Sequence, residues 1–169
     1  MEKTSLRPVT CCFSGYRPEK LPWGEREDDL RCEKLKRRLF DVAEALYESG
    51  VRRFLCGMAR GADTYFCEAV LALKARRGDV YLEAALPCED QARRWPERDR
   101  ARYFDLVSRC DRETLVSRAY TADCMKKRNR YMVEQASVII VVFDGKLGGT
   151  MYTRAYAAKS GLEIIEVRP

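Results

Sequence analysis

Val138 to Phe143 reads Val-Ile-Ile-Val-Val-Phe, an unbroken apolar run dominated by β-branched residues. Nothing in it is polar enough to face water, so it suits a strand covered on both faces. Val9 to Phe13, Val51 to Cys56 and Val80 to Leu86 share this character less purely. Segments with helical spacing lie between them. Leu35, Leu39, Val42 and Leu46 recur at intervals of four, three and four before Gly50, and Phe66, Ala69, Val70 and Leu73 precede Gly78. Apolar strands separated by amphipathic helices need helices on each side of a parallel sheet. The sequence therefore predicts an α/β fold with a doubly wound, mostly parallel sheet.

The remaining elements follow the same reading. Residues 14 to 30 form a polar stretch without evident regular structure. Glu89 to Cys110 has a helical pattern broken at Trp95-Pro96, which predicts two helical pieces. Thr114 to Ser117 is expected as a short strand, Asp123 to Gln135 as a helix and Val138 to Phe143 as a central strand. Thr150 to Lys159 is expected as a helix and Leu162 to Val167 as the last strand. The 169 residues contain no repeat and no Gly/Ser linker, so a single domain over 1–169 is expected. No apolar run approaches the roughly 18 to 20 residues needed to cross a bilayer. Met1 to Ser5 leads into no apolar signal core. A soluble cytoplasmic protein without a membrane partner is the expectation.

Composition narrows the chemistry. The chain has eight cysteines, at 11, 12, 32, 56, 67, 88, 110 and 124, with no Cys-x-x-Cys pair, and it has no histidine. That spacing favours reduced core thiols over a disulfide framework or a metal site, so neither metal nor cofactor is expected. Without histidine the usual general base near neutral pH is missing. The net charge of +6 is concentrated in the middle, where residues 89 to 130 carry 12 basic against 8 acidic groups. The interspersed acids describe a mixed solvated surface, with attraction to an anionic partner as the alternative.

In a doubly wound sheet ligands bind beyond the carboxyl ends of the strands. After the first strand come Ser14, Gly15, Tyr16, Arg17 and Pro18, and after the second comes Gly57-Met58-Ala59-Arg60-Gly61-Ala62-Asp63. That glycine-bracketed turn opens a helix, whose amino end attracts an anion such as phosphate. Asp63 either caps the helix or accepts from a sugar hydroxyl. Asp144-Gly145-Lys146-Leu147-Gly148-Gly149-Thr150 repeats the geometry after the strongest strand, with Gly148 and Gly149 allowing close approach and Thr150 offering a hydroxyl. Arg17, Arg60 and Arg128 are candidate phosphate forks. Glu89, Gln91 and Trp95 follow the third strand and either stack on and read a base or, for Trp95, pack against the break at Pro96. Asn129 is an unusual mid-helix residue and joins the candidates.

These residues also carry a resemblance. Ser14-Gly15-Tyr16-Arg17-Pro18 with Lys20-Leu21, the Gly57 to Asp63 turn, Gln91 with Trp95, Arg128-Asn129 and Gly148-Gly149-Thr150 resemble, over nearly the whole chain, the YpsA-like branch of the SLOG superfamily. The resemblance implies a Rossmann-like domain, a nucleotide or nucleotide-derived ligand over the strand ends, and a homodimer. The Gly57 to Asp63 turn is similar to that of the DNA-processing protein A family, which implies single-stranded nucleic acid as another possible partner. The Lonely Guy phosphoribohydrolases place a catalytic glutamate three residues after the motif threonine, where this chain has Thr153. The branch commonly has histidine where Tyr16 stands.

Three readings result. The first is binding or sensing of a nucleotide-derived small molecule by Ser14, Gly15, Arg17, Gly57, Arg60, Gly61, Asp63, Gln91, Trp95, Arg128, Asn129, Gly148, Gly149 and Thr150. The second is a nucleotide hydrolase using Asp63, Glu89 or Asp144. The third is a single-stranded nucleic-acid binder using the arginines of 89 to 130. Thr153 in place of glutamate and the absence of histidine tilt the choice toward the binder.

Overall fold

The computed structural model describes residues 5–169, so the reading of the chain's start over Met1 to Thr4 lies outside the described residues. Its strands are β1 (Thr10–Gly15), β2 (Arg53–Cys56), β3 (Tyr81–Leu86), β4 (Arg112–Leu115), β5 (Val138–Val142) and β6 (Glu163–Val167). Its helices are α1 (Leu30–Glu48), α2 (Ala62–Arg76), α3 (Glu97–Ser108), α4 (Cys124–Gln135) and α5 (Gly149–Lys159). The strands form one sheet in the order β4-β3-β2-β1-β5-β6, and every pairing is parallel.

The chain steps from β1 outward to β4, returns across the sheet through α4, and continues to the other edge. Right-handed crossovers in opposite directions put α1 to α3 on one face and α4 with α5 on the other. α1 packs on α2, and α4 on α5. This is the doubly wound α/β sheet expected from the apolar runs. Burial follows strand position: β5 is buried throughout, whereas the edge strand β4 is mostly exposed. On the first face, Phe13 of β1 stacks on Phe66 of α2, with centroids 4.4 Å apart and planes 6° from parallel. Such a pair adds about 0.5–1.5 kcal/mol beyond area burial.

Several boundaries differ from the sequence reading. β1 runs on through Ser14 and Gly15, because β5 pairs with it as far as Gly15 and Val142. β5 lies between β1 and β6, and the two middle strands are β2 and β1. β4 occupies Arg112–Leu115 instead of 114–117, since an edge strand is held by backbone pairing to β3 and needs no apolar run. The two helical pieces expected over 89–110 reduce to one. Residues 89 to 95 make turns, with Arg93 N donating to Asp90 O at 3.0 Å and Trp95 N to Ala92 O at 3.1 Å. α3 starts only after Pro96, whose missing N–H costs nothing at a helix start.

The 14–30 stretch is a strap pinned to the body of the domain. A short 3-10 turn spans Pro18–Lys20, and Leu21 and Trp23 are buried. Glu27 accepts from Arg102 of α3 at 2.7 and 3.0 Å and from Lys36 of α1 at 2.7 Å. Asp29 then caps α1, its carboxylate accepting from Arg31 N at 2.8 Å. All eight cysteines are free thiols; Cys110 is half-buried and the others are buried. No helix among the described residues is long and apolar enough to cross a membrane.

Candidate functional site

The order of the sheet reverses between β1 and β5. The chain leaves these neighbours in opposite directions, so a crevice must open beyond their carboxyl ends. A cleft of about 280 Å³ lies there. It brings together Ser14, Gly15 and Arg17 from the end of β1, Asp63 from the start of α2, Arg128 and Asn129 from α4, and Gly149 and Thr150 from the start of α5.

Arg128 sets its electrostatics. It is 3% exposed, and its guanidinium donates to the carbonyl oxygens of Gly57 and, at 3.3 Å, Ala85, and to Asn129 Oδ1 at 2.8 Å. Gly57 is needed for this seat, because a Cβ there would lie 2.5 Å from Nη1 of Arg128. Among the described residues no carboxylate forms an ion pair with Arg128 or with Arg17, which stands exposed with Nη2 at 3.8 Å from Met125 Sδ. Arg60 is the opposite case. It pairs with Asp99 at 2.7 Å, Glu19 at 3.7 Å and Glu25, and it faces a different opening between the strap and α3.

Asp63 is the buried acid of the cleft. Its Oδ2 accepts from Ala59 N at 2.9 Å and so ties down the turn from β2 to α2. Burial pushes its carboxyl above the ordinary value, against the pull of Arg128, the Ala59 amide and Arg17. The amino end of α2 is further occupied by Tyr16, whose carbonyl accepts from Ala62 N at 3.0 Å. Gly61 caps this helix at φ +84°, and a Cβ there would meet that same carbonyl at 2.7 Å.

The amino end of α5 is built otherwise. Gly148 is its cap, at φ +144°, and the first-turn amides that follow have no partner within the helix. Thr150, buried, and Gly149 line the cleft at this positive helix end. Thr153 Oγ1 donates to Gly149 O at 2.9 Å, so its hydroxyl is engaged within the helix.

Tyr16 holds the preceding loop. Its hydroxyl donates to Asp144 Oδ1 at 2.7 Å and accepts from the amides of Asp144 at 3.2 Å and Lys146 at 3.0 Å. Lys20 reaches across to donate to Leu147 O, and Lys146 Nζ donates back to Lys20 O at 2.8 Å. Both ammonium groups lie over the Tyr16 ring, 5.8 and 5.6 Å from its centroid.

The expected residues thus divide. Gly57, Gly61 and Gly148 shape the backbone around the cleft, and Arg60 belongs to the strap's ion pairs. Gln91 and Trp95 sit at the end of β3, where Gln91 Nε2 donates to Gly57 O at 3.3 Å and Trp95 packs edge-on against Tyr103 with centroids 5.3 Å apart. Glu89 is exposed. The sequence reading gave no binding role to Tyr16, Lys20, Met125 or Met132, all of which line the cleft. Tyr16 and Lys20 stand inside a motif already singled out, whereas the two methionines lie within the expected α4 helix with no motif to mark them.

The YpsA family model, described as the YspA SLOG family, matches residues 11–163. A UPF0398 protein of Bacillus licheniformis is 24% identical over 152 residues, covering 89% of this chain and 82% of that protein. The SPbeta prophage-derived protein YoqJ of Bacillus subtilis is 28% identical over 142 residues, covering 76% of this chain and 83% of that one. DNA processing protein A of Streptococcus pneumoniae superposes with a TM-score of 0.63 at 13% identity over 95% of this chain, which spans only 50% of that protein. DNA processing protein A of Helicobacter pylori, which binds single-stranded DNA, superposes with a TM-score of 0.60 at 16% identity, over 97% of this chain and 68% of that one. At such identity these two likenesses concern the fold. With the family pattern matched from β1 to the start of β6, the chain belongs to the YspA SLOG family.

Proposed function

We propose that the crevice between β1 and β5 binds a phosphate-bearing, nucleotide-derived small molecule. The observation that carries this is the pair of arginines, Arg17 and Arg128, lining one cleft with the amino end of α5 and without an ion-paired carboxylate among the described residues. Burial pulls the Arg128 guanidinium below its ordinary value, with Asp63 opposing that pull, and a phosphate in the cleft adds an anion that favours the charged form. Ser14 and Thr150 add hydroxyl donors, Asn129 an amide. Asp63 is better suited to a sugar hydroxyl than to the phosphate, which a neighbouring carboxylate repels.

Thermal-shift and calorimetric titration with AMP, ADP-ribose and dinucleotides test this. Ligand at 100 times its Kd stabilises the fold by roughly 2.7 kcal/mol. A folded protein whose melt moves with no member of the panel excludes the reading.

Single-stranded DNA is the second reading, favoured by the fold shared with the Helicobacter pylori protein and by exposed Arg93, Arg94, Arg118, Lys126, Lys127 and Arg130. It requires affinity that falls steeply with salt. Hydrolysis is tested by release of free base from nucleoside monophosphates, with Asp63→Asn as the control. We place the homodimer and the reducing cytoplasm, which suits eight free thiols, within the same proposal. Light scattering decides the former.

A further inference from the structure

We infer that the opening at the carboxyl end of β3 receives the base of the ligand whose phosphate the cleft is proposed to hold, and that it prefers a base bearing an exocyclic amine. The inference rests on the phosphate reading above.

This opening, of about 370 Å³, is walled by Asp90, Gln91, Arg93, Arg94, Trp95, Tyr120 and Met125, and the exposed Asp90 is its one carboxylate. Met125 also lines the phosphate cleft, so the two spaces share a wall. Gln91 connects them a second time. Its Nε2 donates to Gly57 O, the same carbonyl that receives the Arg128 guanidinium. That bond orients the amide, because turning it over would set two carbonyl oxygens against each other. Oε1 therefore points away from Gly57.

Among the described residues Oε1 of Gln91 is the one buried side-chain nitrogen or oxygen without a hydrogen-bond partner. An unpaired buried acceptor is costly, and a donor brought by a ligand removes that cost. The atom accepts and cannot donate. An amino group fits it, and a ring carbonyl at the same place does not. Oε1 is sealed from water, so contact with a ligand needs a neighbouring side chain to move. Trp95, half-buried and held edge-on by Tyr103, supplies a rigid indole for stacking, and the exposed Arg94 offers a guanidinium plane. The groove between α4 and α5, walled by Tyr152 and Tyr156, also borders the cleft, but among the described residues no orphaned buried polar atom lines it.

Calorimetry on the full chain with ribose 5-phosphate, AMP, IMP, CMP and UMP tests the inference. The expected result is a tenfold or greater preference for the amino-bearing member of at least one pair, AMP over IMP or CMP over UMP. Gln91→Met brings that preference within about twofold, a ratio between paired bases that cancels any change in the phosphate seat transmitted through Gly57, while Tyr152→Ala leaves the preference in place. Equal binding within both pairs overturns the inference, as does a preference that survives Gln91→Met or disappears in Tyr152→Ala. If Gln91→Met does not fold, the wild-type pairs still decide. Ribose 5-phosphate binding without any base preference overturns this inference alone. Binding of no ligand by folded protein overturns the phosphate reading with it.

Discussion

The guanidinium of Arg128 donates to the carbonyl oxygen of Gly57, so a side chain from α4 closes off the end of β2. The contact is steric as well as electrostatic, since any Cβ at position 57 would occupy the place of the guanidinium. Gly57→Ala must push Arg128 out of a seat in which its charge is compensated by carbonyls. Overpacking of this kind costs on the order of 1–3 kcal/mol, a fall in Tm of roughly 5 °C for a domain of this size. Thermal melts check this, and an unchanged Tm would falsify the description of the seat.

Arg17 and Arg60 separate binding from scaffolding. Arg60 is engaged by Asp99, Glu19 and Glu25, so Arg60→Ala lowers stability while nucleotide affinity stays within about twofold. Arg17 has no such partners among the described residues, and Arg17→Ala weakens nucleotide binding tenfold or more, about 1.4 kcal/mol, with little change in the melt. Parallel titrations and melts of the two variants measure the split; the same pattern in both would refute it.

Tyr16→Phe removes one donated and two accepted hydrogen bonds that fix the loop from Asp144 to Gly148. Leaving those groups without the hydroxyl costs about 1–3 kcal/mol. Amide exchange at Asp144 and Lys146 accelerates in this variant, whereas exchange in β5 does not. Uniform acceleration would instead mean a global loss of stability.

The strap makes acid stability depend on Glu27. Burial alone would raise its carboxyl, but hydrogen bonds from Arg102 and Lys36 outweigh it and hold the group at about 2, below its ordinary 4.5. A lowered folded value means stability that is complete above about pH 4.5 and lost as pH falls toward 2. Chemical denaturation across that window is expected to show a steeper decline for wild type than for Glu27→Gln. Parallel declines would show that the ion pairs around Glu27 contribute nothing.

The sheet was legible because its strands are buried: Val138–Val142 carries its own signature, and parallel strands need such runs. β4 was misplaced by two residues because Arg112-Glu113-Thr114 is held by edge pairing and not by apolar character. The turns over 89–95 were mistaken for a helix since neither periodicity nor propensity registers a chain held by local turns. At the site, the glycines could be read from position relative to strand ends, and Arg128 only from its phosphate-binding chemistry, since it stands inside α4 and meets the ends of β2 and β3 in space. Arg60 could not, because Glu19, Glu25 and Asp99 come to it from the strap and α3. Tyr16 stands in the motif after β1, but its role was not legible, because its hydroxyl's partners lie across the sheet switch at Asp144 and Lys146.

The crystal structure of the chain grown with excess AMP tests the central claim most directly. The account predicts a phosphate between β1 and β5, its oxygens within about 3 Å of the Arg17 guanidinium and of the first-turn amides at Gly149 and Thr150. A nucleotide bound at another surface, with the cleft beside Arg128 holding no phosphate, would contradict it.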